Sequence, residues 1–461
     1  VILSENRNYY YRHLFKSRNR SMHIKNKYKF IEYFSKGIKN QNNLKIGVEH
    51  ERFLFEGENK KRISYKTLVK LFENLKINGW EPFYEKENVI GMQRDNQQIT
   101  TEPGLQCELS GAPLQNIHQV CSESSKFLKE IKSASEGLNV KTLSIGFDPF
   151  NKLSDVPRSP KNRYKIMTKE MPKGSEQSLD MMYRTCGIQI NFDYTSEENF
   201  EKIFRLGNYL TPLTIALYSN SPFESGKPVG YYSYRNKVWQ NTSRGGIMPI
   251  TFEKVNFEKY FDHVIEYPIL FAIRNKKYIE PNGQSFKDFI TGNFFNLKDE
   301  ASLQDFETHL ATIFTEVRLK QFIELRSLDA CDWKCLCDGP AFFTGIFYKG
   351  LDEAFEIATK WSKENVMNAY LESPKKGLET EMEGKKLHEW GNIFFDIAKK
   401  GLIERKQLNS IGNNETVYLK HVENIIRNKK NRAQLLLDQY KKSNNLDFFK
   451  NEKENFNYPG F

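Results

Sequence analysis

The amino-acid sequence predicts an α+β fold in which β-strands precede a C-terminal helical region. The segment CGIQINFDY at 186–194 alternates polar and apolar residues, as a strand with one buried face does. From about residue 351 the apolar residues instead recur at helical spacing, in segments 351–371, 386–406 and 416–442. We expect these helices to brace the sheet.

Four glutamates crowd two strand-like segments near the N-terminus. Glu49 and Glu51 lie in KIGVEHERFLF, and Glu102 and Glu108 lie in TTEPGLQCELSG. Alternate residues of a strand share a face, so the carboxylates of Glu49 and Glu51 point the same way. Like charges this close either shift their pKa values or bind a hard divalent cation through oxygen ligands. The pattern therefore indicates a site for Mg²⁺ and a nucleotide, although a solvated strand face would show the same alternation.

A third segment, EVRLKQFIELRSLD at 316–329, adds cations to these carboxylates. Interpreted as one strand, it places Arg318, Lys320, Glu324 and Arg326 on one face. An arginine two residues from a carboxylate can hold a phosphate bidentately beside a metal ligand, and phosphoryl transfer uses such pairs. The sequence contains no G-x-x-x-x-G-K-[ST] loop, which excludes a P-loop enzyme.

Six segments, in one order along the chain, give it a resemblance to a known family. The segments are IGVEHERF at 46–53, ITTEPGLQCELSGAPLQNIHQ at 99–119, MPKGSEQSLDMMYRTCGIQINFD at 171–193, YSNSPFESGKP at 218–228, SYRNKVW at 233–239 and ATIFTEVRLKQFIELRSLDA at 311–330. Together they resemble glutamate–cysteine ligases of the plant and proteobacterial type. The similarity extends from about residue 45 to about residue 440, and ordered blocks of this length are more specific than any single short motif.

The resemblance implies an ATP-dependent reaction in two steps. The γ-carboxylate of L-glutamate attacks the γ-phosphate of ATP, and the amine of L-cysteine then displaces phosphate from γ-glutamyl phosphate. The product is γ-glutamylcysteine, in the first step of glutathione biosynthesis. The resemblance also implies a fold similar to that of glutamine synthetase, with a curved, mainly antiparallel sheet. Its concave face would hold the substrates and Mg²⁺ or Mn²⁺, and helices would cover its back. Because the substrate carboxylate is the nucleophile, the enzyme contributes positioning and charge neutralisation.

The resemblance further implies roles for individual residues. The expected metal ligands are Glu49, Glu51, Glu102, Glu108, Gln189 and Glu324. The residues expected to act in catalysis or to bind the phosphates of ATP are Glu324, Arg326, Lys320 and Arg244. The expected glutamate-binding residues are Arg235, Trp239 and Arg184. The arginines could instead form ordinary salt bridges, and Trp239 could instead belong to the core.

The six cysteines are too few and too scattered for a disulfide scaffold, which favours a reducing compartment. By resemblance, Cys121 and Cys337 correspond to a pair that plant members can join as a regulatory disulfide. The second plant pair is missing, because its positions hold Pro281 and Asn296. Two observations argue against zinc at the crowded cysteines 331, 335 and 337: the spacing C-x₃-C-x-C is not a usual zinc spacing, and no matching second ligand pair is visible. We therefore expect no zinc site.

The length of 461 residues and the net charge of +11 limit the domain organisation and the partners that we expect. Residues 1–30 hold eight Lys or Arg and one Glu, without the character of a transit or signal peptide. We expect a basic variable leader at 1–30, a catalytic unit at 31–350, a helical region packed on it at 351–440 and a tail at 441–461. No apolar run approaches the ~18 residues of a membrane helix. We expect a cytoplasmic monomer or weak homodimer without nucleic-acid or membrane partners.

Two alternatives stay open at this point. The acceptor pocket is the part that the sequence defines least, so a related ligase that joins glutamate to a different amine is the first alternative. The second alternative is a catalytically inactive relative that binds a ligand or, through its basic leader, an anionic surface. Loss of one of the core glutamates would favour this second hypothesis, and none is lost.

Overall fold

The computed structural model describes residues 27–58, 60–292 and 300–450. Its central element is a ten-stranded sheet in which each neighbouring pair is antiparallel, so the predicted antiparallel character is confirmed. The strands are β1 Ile46–Glu56, β2 Lys61–Arg62, β3 Glu81–Glu85, β4 Asn88–Arg94, β5 Gln97–Thr101, β6 Cys107–Ser110, β7 Val140–Leu143, β8 Gly187–Phe192, β9 Val317–Leu319 and β10 Ile323–Asp329. Short two-stranded ladders lie outside this sheet.

The eleven-residue strand β1 lies at the centre of the sheet. The order through the sheet is β9-β10-β8-β1-β6-β5-β4-β3, and the second half of β1 also pairs with β7 and β2. Val48 and His50 on one face of β1 are each 1% exposed, whereas Glu49 and Glu51 on the other face are only half-buried. The alternation predicted for β1 is therefore confirmed, and it separates a packed face from a face that opens to a cavity.

The prediction of one strand over 316–329 is wrong, because this segment folds as a hairpin. The strands β9 and β10 pair with each other, and the chain reverses at 320–322. Arg318 thereby lies directly opposite Glu324. Side chains of directly opposed residues lie on the same face of a sheet, so Arg318, Glu324 and Arg326 still share one face.

Eleven α-helices precede residue 312 in the part of the chain that the structure describes. They are α1 Lys27–Ser35, α2 Tyr65–Leu75, α3 Ile117–Ser135, α4 Asn162–Glu170, α5 Ser178–Arg184, α6 Glu197–Tyr209, α7 Thr211–Tyr218, α8 Tyr234–Gln240, α9 Phe257–Val264, α10 Phe286–Ile290 and α11 Leu303–Ala311. Many begin at a capping side chain: Ser64, Asn116 and Ser196 each accept a hydrogen bond from a backbone N–H of the first turn. Such caps satisfy amide groups that have no partner within the helix.

The C-terminal region is helical, as the spacing of its apolar residues predicts. Its helices are α12 Trp333–Tyr348, α13 Leu351–Ala358, α14 Lys363–Lys376, α15 Leu387–Arg405, α16 Lys420–Asn428 and α17 Arg432–Ser443. Two of the three predicted segments are each divided into two helices. The divisions fall where Ser362 and Asn431 cap the second helix, and Lys429 adopts a left-handed φ of 54°.

One hydrophobic core connects the sheet with the helices. It includes Phe30 of α1, Val48 of β1 and Val422 of α16, so the residues on both sides of position 350 share it. The leader boundary predicted at residue 30 falls inside α1, and residues 1–26 of the leader lie outside the described residues. Within the described ranges, no helix combines the length and the apolar composition that crossing a membrane requires.

Candidate active site

A cavity of about 450 Å³ opens on the sheet face that carries the glutamates. Ligand sites are commonly about 300–1,000 Å³ in volume. Its charged and polar wall includes Glu49, Glu51, Glu102, Glu108, Arg163, Gln189, Arg318, Lys320 and Arg326. Its apolar wall includes Met167, Met181, Met182, Trp239, Phe271 and Phe314. Most of the residues that the sequence singles out therefore meet in one cavity.

Three carboxylates form a cluster at one end of this cavity. Oxygen atoms of Glu51, Glu102 and Glu108 all lie within 4.8 Å of one another. Glu51 and Glu108 are direct partners in the β1–β6 ladder, and Glu102 lies in the turn between β5 and β6. Glu51 Oε2 accepts a hydrogen bond of 2.5 Å from the amide of Gly187, and Tyr164 Oη donates to Glu102 at 3.2 Å.

The carboxylate cluster carries more negative charge than its surroundings compensate. Burial, followed by the charge of Glu102, raises the pKa of Glu51 to about 7. Burial, followed by the charges of Glu102, Glu49 and Glu51, raises the pKa of Glu108 well above its usual range. A divalent cation would remove this repulsion, and hard cations prefer carboxylate oxygens. The donor set therefore fits Mg²⁺ or Mn²⁺.

Glu49 belongs to the next row of side chains across the sheet. It pairs with Gln189 of β8 and with Ser110 of β6. Glu49 Oε1 accepts a hydrogen bond of 2.8 Å from Nδ2 of Asn191. Gln189 Oε1 in turn accepts from Nη1 of Arg326. The row connects the carboxylate cluster to the cations of the β9–β10 hairpin.

The hairpin places three cations around one carboxylate. Glu324 is fully buried, and its Oε2 accepts from Nε of Arg318 and, at 3.4 Å, from Nη1 of Arg326. Lys320 Nζ lies 2.8 Å from the other oxygen of Glu324. Burial opposes ionisation of Glu324, but these three cations hold its pKa well below the usual range. Burial and the charge of Arg318 lower the pKa of Arg326 to about 10.

The hairpin cluster therefore combines one buried anion with three positive charges, and Arg318, Lys320 and Arg326 line the cavity. The surplus positive charge faces a site for an anion such as a phosphate. Glu324 lies outside the group of three neighbouring carboxylates, so its role as a metal ligand stays a prediction.

Arg235 does not line the cavity, although Trp239 of the same helix does. The Arg235 side chain is 2% exposed and stacks over the Trp239 ring at 4.7 Å, and its Nη2 donates to the carbonyl of Arg326 at 2.9 Å. Its Nη1 lies 3.9 Å from Asp329. Arg235 is thus placed to position Trp239 and the strand of Arg326 from behind, and direct contact with glutamate stays a prediction.

The motifs YSNSPFESGKP and SYRNKVW converge on the buried carboxylate of Asp329. This carboxylate accepts hydrogen bonds from Ser221 Oγ at 2.7 Å, Ser233 Oγ at 2.9 Å and Asn236 Nδ2 at 3.2 Å. The amide of Asn220 donates to it at 2.8 Å. These residues join the end of β10 to α8, which fixes the position of Trp239.

Arg184 and Arg244 are also outside the cavity lining. Arg184 forms ion pairs with Asp180 at 2.9 Å and with Glu224 at 2.7 Å. Arg244 is buried and donates to backbone carbonyl groups at positions 268 and 312, each at 2.7 Å. Because both guanidinium groups are engaged within the protein, the geometry gives no support to their predicted contacts with glutamate and phosphate.

Arg318, Arg163 and Tyr164 also line the cavity, although they were not among the sequence-predicted site residues. Arg318 carries the same strand parity as Arg326, and that signal could have identified it. Arg163 and Tyr164 of α4 approach the carboxylates from a different part of the chain, and Arg163 Nη2 donates to the Tyr164 hydroxyl at 2.8 Å. The segment around them shows no strand alternation or motif, so the sequence offered no signal for these two.

Cys121 of α3 and Cys337 of α12 lie in contact as free, buried thiols. A hydrogen bond joins the two side chains. Burial raises the pKa of both thiols. Their proximity is compatible with the predicted redox pair, and oxidation between them stays a prediction.

Comparison with known proteins gives consistent results for sequence and fold. The model of glutamate–cysteine ligase family 2 matches residues 45–452. Glutamate–cysteine ligase B of Oryza sativa subsp. japonica, a chloroplastic protein, is 38% identical over 417 residues, covering 89% of this chain and 83% of that protein. The chloroplastic glutamate–cysteine ligase of Nicotiana tabacum is 38% identical over 417 residues, covering 89% of this chain and 79% of that protein.

Among solved structures, the fold is similar to that of glutamate–cysteine ligase from Francisella tularensis in complex with AMP, with a TM-score of 0.51. That match covers 88% of this chain and 86% of the other, at 13% sequence identity. The prediction of a cytoplasmic location is wrong, because the curated relatives are chloroplastic proteins, which points to a plastid.

Proposed function

This chain belongs to glutamate–cysteine ligase family 2, and we propose that it joins the γ-carboxylate of L-glutamate to the amine of L-cysteine in the cavity described above. The reaction consumes ATP and yields γ-glutamylcysteine, the first step of glutathione biosynthesis. The resemblance inferred from the six sequence segments is confirmed by these matches. The single observation that carries the assignment to the cavity is that three clustered carboxylates and three cations face one space.

The carboxylate cluster would hold the divalent cation. Glu51, Glu102 and Glu108 supply oxygen ligands within 4.8 Å of one another, and Glu49 lies one row away. The raised pKa values of Glu51 and Glu108 support this role, because a bound cation would stabilise their ionised forms. Mg²⁺ or Mn²⁺ would neutralise charge on the phosphates of ATP. Gln189 and Glu324 complete the predicted ligands.

Arg326 and its neighbours would receive the transferring phosphoryl group. The γ-carboxylate oxygen of glutamate forms a bond to the γ-phosphorus of ATP, and the bond to the bridging oxygen of ADP breaks. Negative charge spreads over the phosphoryl oxygens during this transfer. Arg326, Arg318 and Lys320 provide fixed positive charge on that side of the cavity. Gln189 and Glu324 orient the Arg326 guanidinium by accepting its hydrogen bonds.

The apolar wall would receive the side chain of the acceptor amino acid. Met167, Met181, Met182 and Trp239 line the same cavity as the carboxylate cluster, so a small, weakly polar side chain is favoured over a charged one. A thiol-bearing side chain suits this surface. The alternative of a different acceptor amine is thereby narrowed to small neutral amino acids.

For location in the cell, we propose a plastid, in line with the chloroplastic relatives.

The test is release of ADP by the purified full-length chain, measured with ATP, Mg²⁺, L-glutamate and a panel of amines. The panel includes L-cysteine, 2-aminobutyrate, alanine, serine and lysine. We expect kcat/KM to be highest for cysteine, lower for 2-aminobutyrate and negligible for lysine. Chromatography identifies the peptide product. Activity restricted to an amine other than cysteine would favour the alternative ligase, and no glutamate-dependent ADP release would exclude both.

A further inference from the structure

The N-terminal turn of α12 brings together two cysteines and a histidine outside the active-site cavity. Sulfur atoms of Cys331 and Cys335 and a ring nitrogen of His421 all lie within 4.8 Å of one another. Cys331 precedes the N-cap residue of α12, Cys335 lies in its first turn, and His421 belongs to α16. His421 Nε2 lies 3.5 Å from Cys335 Sγ. The sequence separates His421 from Cys335 by 86 residues, which is why no zinc motif was visible in it.

We propose that Cys331, Cys335 and His421 bind a zinc ion when the cysteines are reduced. Thiolate sulfur and imidazole nitrogen are the ligands that Zn²⁺ prefers, and Mg²⁺ or Ca²⁺ would require oxygen donors instead. The fourth position falls to an oxygen donor. Asp332 is one oxygen donor close to the site, since its Oδ1 lies 3.7 Å from Cys331 Sγ. This proposal departs from the expectation of no zinc site, which rested on the cysteine spacing and did not include the ligand that the fold supplies from α16.

The structure shows the two sulfurs joined as a disulfide with a Cα–Cα distance of 5.7 Å. The two cysteines are only four residues apart in the sequence, so the disulfide closes a very short loop and constrains the unfolded chain little. A metal held also by His421 would instead connect α12 to α16 across more than eighty residues. The metal-bound form is thus the one that would stabilise the packing of these two helices.

Burial of the site favours a small ion over a bulky modifying group. Cys331 and Cys335 are each 2% exposed, so their sulfurs are more accessible to a metal ion or a small thiol than to a bulky group. The neighbouring ion pair of Asp332 with Arg432, at 3.0 Å, joins α17 to the same turn. Three C-terminal helices therefore meet around the sulfurs. Cys331 also lies two residues beyond Asp329, so the site is next to the end of the strand that carries Arg326.

Conversion between the two forms has a simple chemical balance. Two thiol molecules reduce the disulfide, which yields the thiols of Cys331 and Cys335 and one external disulfide. Thiols are the class of compound that this enzyme consumes and produces. Binding of Zn²⁺ then displaces one proton from each of the two cysteines, and the imidazole of His421 binds as the neutral base.

The test uses the full-length chain, reduced with a phosphine, freed of reductant under nitrogen and given equimolar Zn²⁺ or Co²⁺. We expect one tightly held zinc per chain after dialysis, measured by elemental analysis. With cobalt we expect thiolate-to-metal charge-transfer absorption, which carboxylate-bound cobalt in the active-site cavity cannot produce. Neither readout depends on ligase activity, so failure of this proposal and failure of the ligase assignment are distinguishable.

Variants identify the ligands. Cys331→Ser, Cys335→Ser and His421→Asn should each lower zinc retention at least about tenfold. The matched controls Cys107→Ser and His388→Asn should retain zinc like the wild type. The proposal is overturned if the wild type shows no charge-transfer absorption, if the variants retain as much zinc as the controls, or if the disulfide re-forms under nitrogen in the presence of zinc and leaves only four titratable thiols of the six.

Discussion

Glu51 of β1 and Glu108 of β6 are direct partners across an antiparallel ladder, so two carboxylates face each other on the wall of the cavity. Like charges in this position destabilise a sheet. Glu102 adds a third carboxylate within 4.8 Å of both. The arrangement is stable when protons or a cation compensate the charge, and this dependence provides the first prediction.

Stabilisation by Mg²⁺ should increase with pH. The pKa of Glu51 is about 7 in the folded protein against 4.5 for an ordinary glutamate, so the folded state binds more protons between these values. Without metal, the free energy of unfolding therefore decreases as pH rises from about 4.5 to about 7. Added Mg²⁺ should raise the Tm more at about pH 8 than at about pH 6. At the higher pH, fewer protons compete with the cation for the carboxylates.

Differential scanning calorimetry at both pH values checks this expectation, and Glu51→Gln supplies the comparison because it removes one charge from the cluster. The variant should show a smaller dependence of the Mg²⁺ effect on pH. An equal Tm increase at both pH values in the wild type would show that the cluster does not bind the cation.

Glu324→Gln should destabilise the fold and slow turnover together. Glu324 is fully buried and balances Arg318, Lys320 and Arg326, so its loss leaves three cations close to one another. Breaking a buried pair of this kind costs roughly 3–5 kcal/mol. Urea unfolding measures the change in the free energy of unfolding, and Glu356→Gln is a suitable control because its pair with Lys360 is exposed. A stability loss no larger than that of the control would contradict the role assigned to Glu324.

Arg326→Lys should lower kcat by roughly 10²-fold or more while the KM for glutamate changes little. Lysine keeps the charge but cannot contact Gln189, Glu324 and a phosphate in the fixed geometry of a guanidinium group. Steady-state kinetics at saturating ATP separate the two parameters. A variant whose only defect is a raised KM for glutamate would indicate that Arg326 binds that substrate instead.

Arg235→Lys should act differently, because Arg235 lies behind the cavity against Trp239. We expect a higher KM for glutamate, a smaller decrease in kcat and a lower Tm, since the hydrogen bond to the Arg326 carbonyl is lost. The same kinetic assay with a thermal melt measures all three. If kcat falls as far as in Arg326→Lys with KM unchanged, then Arg235 acts on the phosphoryl group.

Cys121 and Cys337 should form a disulfide only slowly. Their side chains are in contact, but burial raises the pKa of both thiols and little thiolate is present near neutral pH. Peptide mapping after timed treatment with oxidised glutathione should reveal the bridge, and its rate should increase with pH. Cys121→Ser should abolish that bridged peptide and leave the Cys331–Cys335 peptide unchanged. Failure to detect the bridge at any pH would exclude this redox pair.

The sequence predicted the faces of strands better than it predicted their partners. Alternation placed Glu49 and Glu51 on one face, and the structure agrees. The pairing of Glu51 with Glu108 depends on how β6 aligns with β1, which long-range packing decides. The hairpin at 320–322 was missed because Lys-Gln-Phe contains none of the usual turn residues.

Arginines were the least predictable part of the site. Arg184 and Arg326 lie in segments that resemble the family and Arg244 follows one of them, yet of these three only Arg326 lines the cavity. A guanidinium group can donate to a backbone carbonyl as well as to a phosphate, so its position along the chain does not determine its partner. Arg163 and Tyr164 were missed for the related reason that α4 reaches the cavity only through the tertiary fold.

The most direct test of the central claim, that the carboxylate cluster is the reacting centre of this ligase, is the rate of ADP release by Glu51→Gln with saturating ATP, glutamate, cysteine and Mg²⁺. The control is Glu81→Gln, which changes an exposed glutamate on β3 of the same sheet. We predict a loss of several orders of magnitude in kcat for Glu51→Gln, with an unchanged circular dichroism spectrum and full activity in the control. A folded Glu51→Gln enzyme that turns over within about tenfold of the wild type would contradict the account.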